Sequence, residues 1–206
     1  MAKAPEEGQI WEWRAFGQIS DALSARVRAH PIRLGIKDAP AKDVYLISPG
    51  SDQNVKLRQS GTDWVLKFKL LLKKVSSGAE LYSESWNMVF GFPVDPDVVS
   101  RAAELLSVTL PEAEPAGDSF DRENFINLFR QASPAAKIIE VSKVRSQFHM
   151  GIGWIELADM IFPHGQSQSI SLHSADIKSV EAMLDELKPD AGLEVMNYVE
   201  ACRRWG

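Results

Sequence analysis

Two adjacent segments, "NVKLRQSG" and "TDWVLKFKLLLKK", carry cations two residues apart: Lys56 with Arg58, and Lys67 with Lys69. Successive side chains of a β-strand point to opposite faces, so each pair shares a face. The spacing returns at Lys143 and Arg145, and Arg14 sits on an alternating segment near the start, "GQIWEWRAFG". The opposite faces carry Trp11 and Trp13, Val55 and Leu57, Leu66 and Phe68, and Val144 and Phe148. Such strands read in two ways. One is a sheet with a solvated outer face, the ordinary condition of antiparallel sheets. The other is a closed barrel whose lumen gathers the cations. Buried like charges are costly unless paired, so a cationic lumen calls for an anionic guest. A chain of phosphates suits both the arginine fork and the lysine point charge.

The elements that must position these residues follow from period and punctuation. "GQIWEWRAFG" puts Ile10, Glu12, Arg14 and Phe16 on one face and Trp11, Trp13 and Ala15 on the other. "DALSARVRAHPIRLG" predicts a short helix ended by Pro31, and "DVYLIS" a strand before the turn-rich "PGSDQ". The opening segments form a hairpin around "SGTD", and "AELYSESWNMVFGFPV" reads as a further strand. Asp95 and Pro96 predict the N-cap and first residue of a helix, "PDVVSRAAELLSV". An acidic loop, "LPEAEPAGD", leads to the amphipathic "SFDRENFINLFRQA", with Phe125, Ile126 and Phe129 on its apolar side. Strands return in "AKIIEVSKVRSQFHM", "IGWIELADMIF" and "QSISLHS", and two helices are expected in "ADIKSVEAMLDELK" and "GLEVMNYVEACRRW". Strands on both sides of the acidic loop argue for one domain over 1–206, with a helical insertion and acidic loop around 95–131. The fold class is α+β: an antiparallel barrel or strongly curled sheet with helices packed outside, since closure removes exposed edges.

The chain-wide balance narrows the partners. A net charge of -5 disfavours general binding to nucleic acid or anionic membranes. The single cysteine, Cys202, has no partner for a disulfide or a metal motif. No N-terminal apolar signal and no membrane-spanning run is seen, so the expected location is the cytoplasm. No nucleophile elbow, P-loop or Ser-His-Asp pattern is visible.

The order of segments resembles the CYTH superfamily, the triphosphate tunnel metalloenzymes. "WEWRAF" stands where that family carries Glu-x-Glu-x-Lys, and "DVYLIS" is similar to its Asp-x-Tyr strand. "NVKLRQSGTDWVLKFK" resembles its basic hairpin, "EVSKVRSQF" its Lys-x-Arg strand, "GWIELADM" its later acidic strand, and "SISLHSADIKSVEAMLDEL" its last strand and helix. The resemblance implies an eight-stranded antiparallel tunnel that holds a triphosphate such as inorganic triphosphate or a nucleoside triphosphate. It places Arg14, Lys56, Arg58, Lys69, Lys143 and Arg145 on the phosphates, with Lys67 sharing the face of Lys69. It also implies Mg²⁺ or Mn²⁺ held by Glu12 and Glu156 and metal-assisted phosphoryl transfer.

The departures lie on the acidic side. Ile10 replaces the first Glu, Trp154 and Ala158 flank Glu156 at alternate positions, and Ser171 or His173 stands where another Glu is expected. Glu84 is a candidate replacement ligand, with Glu80 and Asp159 as further carboxylates, while His173 would suit a softer metal. Trp154 falls beside Glu156, where it would narrow the tunnel or stack on a base. Three functions stay open at this point: a metal-dependent triphosphatase, a metal-poor anion-binding module, and an interaction protein with a basic face for an acidic partner.

Overall fold

The structure, a computed structural model, describes residues 8–33, 36–83, 88–111 and 119–206. Its strands are β1 (Gln9–Gly17), β2 (Ala39–Ile47), β3 (Asn54–Ser60), β4 (Asp63–Lys74), β5 (Glu80–Ser83), β6 (Val89–Gly91), β7 (Lys137–His149), β8 (Trp154–Phe162), β9 (Gly165–Ser174) and β10 (Glu194–Val195). The helices are α1 (Asp21–Arg28), α2 (Pro96–Leu106), α3 (Arg122–Ala132), α4 (Ile177–Leu187) and α5 (Tyr198–Trp205).

Eight strands close on themselves in the order β1-β5-β4-β3-β2-β7-β8-β9, and β9 returns to β1. Every pairing is antiparallel. Local chemistry sets the sharpest corner: β3 and β4 join through Gly61 and Thr62, and Gly61 takes a φ of +64° that a side chain would disfavour. The two remaining strands are accessory. β6 pairs with β4, and β10 pairs with β1 at Ala15 and Phe16, past the end of β5.

Two helical layers cover opposite parts of the outer wall. α2 and α3 press Val99, Leu106, Phe125 and Phe129 onto Val55, Leu57, Leu66 and Phe68. α1 and α4 press Leu23, Val27, Val180 and Met183 onto Trp11, Trp13, Ile155 and Leu172. Each such aliphatic or aromatic side chain contributes about 1.5–3 kcal/mol on burial, so the apolar half of each alternating strand is anchored from outside. The other half must then face the lumen.

Several expected elements differ in detail. The segment read as one strand after Glu80 is two short strands, β5 and β6, and Glu84 between them lies outside the described residues. The final helix begins only at Tyr198, because "EV" is drawn into β10 and Asn197 forms a capping box with Glu200. Asp95 precedes α2 without a side-chain cap, and Pro96 alone marks its start. On α3 the fully packed residues are Phe125, Leu128 and Phe129. α5 does not sit on the outer wall: Tyr198, Val199 and Cys202 pack on Phe16, Tyr45, Ile139 and Val141, which face inward, so the helix closes one end of the lumen. Among the described residues no helix is long and apolar enough to cross a membrane.

Candidate anion-binding site

The lumen divides along its length. The end under α5 is apolar, while the other holds a cavity of about 280 Å³. All seven cations picked out by their spacing line this cavity: Arg14, Lys56, Arg58, Lys67, Lys69, Lys143 and Arg145. Glu12 and Glu156 line it too. The two-residue period of four separate strands is what brings them together. A larger groove, about 1170 Å³, runs by Val144, Asp159, Ile161 and Gln168, which alternate away from the lumen. It holds no comparable cluster of charge.

Among the described residues three carboxylates organise the cations. Asp43, fully buried, takes Arg58 in a fork, Nε to Oδ1 at 2.7 Å and Nη2 to Oδ2 at 2.8 Å. Its Oδ2 also lies 2.9 Å from Lys143 Nζ and 3.7 Å from Lys56 Nζ. Glu12 accepts from Arg14 Nε at 2.7 Å through Oε1 and from Lys69 through Oε2. Glu156 accepts from Arg14 Nη2 at 3.3 Å through Oε1, and from Gln147 at 2.8 Å and Arg145 at 3.3 Å through Oε2. Arg14 therefore bridges Glu12 and Glu156. Its Nη1 donates to Ser169 Oγ at 3.2 Å and to Tyr198 Oη at 3.1 Å.

These contacts decide the protonation states. Burial alone would raise the Glu12 carboxyl, but Lys69 and Arg14 outweigh it and hold the group well below the usual carboxylate range. Burial opposes the charge on Glu156 and Asp43 as well, and again the neighbouring cations win. Lys56 goes the other way. Burial lowers it well below an ordinary lysine, and Asp43 only partly compensates. Burial brings His173 down to about 4, against the pull of Glu12, so it is neutral near pH 7.

Among the described residues, three buried side-chain polar atoms have no hydrogen-bond partner: Asn54 Oδ1, Arg145 Nε and Trp154 Nε1. All three belong to residues that line this cavity. An unpaired buried polar atom costs about 1–3 kcal/mol, and here the cost is confined to one place. The Trp154 ring already stacks within the protein. His173 lies parallel to it, planes within 2° and centroids 4.9 Å apart, and the Arg33 guanidinium is 4.6 Å from its ring centroid. Its indole N–H is what it has left to offer.

Some participants escaped sequence reasoning. Asn54 and Gln147 share the alternation of the flagged cations, so the same period would have found them. Asp43 was noted only as part of a resemblance, and its role as hub of three cations depends on closure of the barrel. Tyr198 comes from α5 and carries no sequence signal. It stacks on Tyr45 at 5.5 Å and faces Arg14 and Lys143. A Ser-His-carboxylate chain is present after all: Ser171 Oγ is 2.8 Å from His173 Nε2, and His173 Nδ1 is 3.6 Å from Glu12. Ser171 is fully buried, so it fixes the imidazole rather than meeting a ligand. Of the other candidates, Glu80 is taken up by Tyr82, Asn197 and Lys74, while Asp159 accepts from Gln168.

No family model matches the sequence, and no curated protein matches it. Solved structures of the same fold include a candidate adenylate cyclase from Bacillus halodurans, 12% identical with a TM-score of 0.50, aligned over 94% of this chain and 98% of the other. A second, a candidate adenylyl cyclase from Hippeastrum, is 13% identical with a TM-score of 0.50 over 95% of each chain. A conserved hypothetical protein from Pyrococcus furiosus is 15% identical with a TM-score of 0.54, over 93% of this chain and 98% of the other. The likeness is one of architecture. The chain shares their fold, an eight-stranded antiparallel barrel with helices around it.

The metal that the family resemblance implies can be tested against the donors present. Magnesium demands near-octahedral oxygen ligands at about 2.0–2.1 Å. Both oxygens of Glu12 and both of Glu156 already accept from nitrogen donors. Ile10, Trp154 and Ala158 offer no oxygen from the alternate positions. Among the described residues no group of three His, Cys, Asp or Glu side chains is placed to hold an ion. The donor set of the described residues does not fit a divalent cation.

Proposed function

We propose that the cavity binds a triphosphate or other polyphosphate-bearing ligand, such as inorganic triphosphate or a nucleoside triphosphate. The observation that carries this reading is the convergence of unpaired polar atoms and clustered cations on one site. Among the described residues seven cations and three carboxylates meet there, in a chain whose net charge is -5. Arg145 and Trp154 each hold a buried donor without an acceptor. A phosphate chain has negative charge on every unit and acceptor oxygens on all sides, so it answers both needs. The Hippeastrum protein of this fold is described as having a dominant triphosphatase activity, which supports a triphosphate as the ligand class.

Calorimetric titration with inorganic triphosphate tests the reading. One-to-one binding is expected, at least about tenfold tighter than for monophosphate. Paired Lys56→Ala and Arg58→Ala substitutions should abolish it. Absence of binding to the wild-type protein would refute the proposal. Release of phosphate from the same samples, with Mg²⁺ or Mn²⁺ supplied, would add the metal-dependent hydrolase activity that the family resemblance implies. Binding without release would leave an anion-binding module.

A further inference from the structure

The two carboxylates that a tunnel of this type would turn toward a metal are bridged by a guanidinium. Arg14 is buried on β1, and each of its nitrogens is engaged: Nε with Glu12, Nη2 with Glu156, Nη1 with Ser169 and Tyr198. The Tyr198 ring lies 4.2 Å from the guanidinium carbon and closes over it. Lys69 takes the remaining oxygen of Glu12, and Gln147 and Arg145 take that of Glu156. We propose that Arg14 stands where a divalent cation would stand, and that the tunnel takes up the free polyphosphate anion rather than its magnesium complex. This rests on the reading of the cavity as a phosphate site.

The argument is one of charge and space. A dication is drawn to carboxylates only while their charge is uncompensated. Among the described residues the two carboxylates already face three cations, Arg14, Lys69 and Arg145, so their charge is compensated and draws a second positive ion only weakly. Arginine cannot lose its proton to make room, and every nitrogen of Arg14 already has a partner. A metal could bridge the two carboxylates only by displacing that side chain, and two further cations, Lys56 and Lys143, stand close by, 5.6 Å and 4.6 Å from the same Tyr198 ring. The ligand side points the same way. Magnesium bound to a polyphosphate cancels part of the charge that the cations recognise, so its complex is the poorer guest. In this tunnel the metal's task of neutralising phosphate charge passes to covalently held cations, and magnesium becomes a competitor for the ligand.

The test is titration of sodium triphosphate into the full chain, once with EDTA and once with Mg²⁺ in excess over the ligand. Undiminished binding in EDTA and an affinity about tenfold or more weaker with Mg²⁺ are expected. Affinity that Mg²⁺ leaves unchanged or improves overturns the inference and leaves the phosphate site standing. No binding in either arm overturns the phosphate site and the inference with it. A second measurement needs no triphosphate. Arg14→Gln removes the bridging charge and frees one oxygen of each carboxylate, so the variant should bind Mn²⁺, seen as loss of the free-ion paramagnetic resonance signal, while the wild type should not. Mn²⁺ binding by the wild-type protein alone would overturn the inference, whether or not the variant folds.

Discussion

Replacing Asp43 by asparagine removes one charge and almost no volume. Asp43 holds Arg58 in a fork, Lys143 at 2.9 Å and Lys56 at 3.7 Å, with no exposure to solvent. Removing one member of a buried ion pair typically costs about 3–5 kcal/mol, because the partner charge is left stranded. Relief is available from Lys56, already well below an ordinary lysine because of burial, which can release its proton once Asp43 no longer attracts it. The loss should therefore fall near the lower figure, about 3 kcal/mol. At this chain length ~1 kcal/mol corresponds to about 2–4 °C in Tm, giving a fall of about 6–12 °C. Ligand should reverse it. Asp43 repels an incoming phosphate chain, so Asp43→Asn should bind triphosphate about tenfold tighter and gain more stability from it than the wild type. Thermal and urea unfolding with and without inorganic triphosphate measures both effects. A variant as stable as the wild type, or one stabilised no further by the ligand, would refute the assignment of Asp43 as an internal placeholder for phosphate.

Other substitutions separate binding from folding. Trp154→Phe deletes an unpartnered buried N–H, so stability without ligand should change by less than about 1 kcal/mol while triphosphate affinity drops several-fold. A large stability loss with intact affinity would contradict this. His173 titrates at about 4 when folded against about 6.5 unfolded, so the unfolded chain binds the extra proton between those values. Stability should then decline as pH falls through that window, by up to about 3 kcal/mol, and stay level above it. Urea midpoints for His173→Gln should lose that slope, and a retained slope would mean another group carries it. Glu12 and Glu156 are depressed, so their contribution holds above about 4.3 and is lost only as pH falls further. Phe129→Ala, in the layer beneath α3, should cost about 3–5 kcal/mol without altering affinity per folded molecule, which calorimetry on the folded fraction would check.

The barrel wall was legible because its code is local. Period-two alternation in "WEWRAF", "NVKLR" and "VLKFK" assigned inward and outward faces without any knowledge of pairing, and closure then carried those faces into one lumen. What escaped depends on contacts between distant segments. β10 forms because β5 stops short on β1 and leaves Ala15 and Phe16 an open partner. Nothing in "GLEVMNYVEACRRW" announces that competition. The same holds for Tyr198, which reaches Arg14 only because α5 lies across the lumen. The Ser171–His173–Glu12 chain was invisible for a related reason: His173 and Glu12 meet through the pairing of β1 with β9. Local periodicity says which way a side chain points, and only topology says whom it meets.

That distinction bears on why an acidic chain concentrates cations inside itself. A lumen lined only with lysine and arginine would resist folding until its ligand arrived. Asp43, Glu12 and Glu156 remove that obstacle by holding most of the cations in pairs while the cavity is empty. The same pairs set a threshold for the ligand, because a guest must outcompete carboxylates already within about 3 Å of the nitrogens. A chain of phosphates can engage more of these cations at once than a single phosphate can, along with the unpaired donors of Arg145 and Trp154. Selectivity for a chain over a monomer therefore follows from internal neutralisation, and it should weaken in Asp43→Asn, where one group of cations has lost its placeholder.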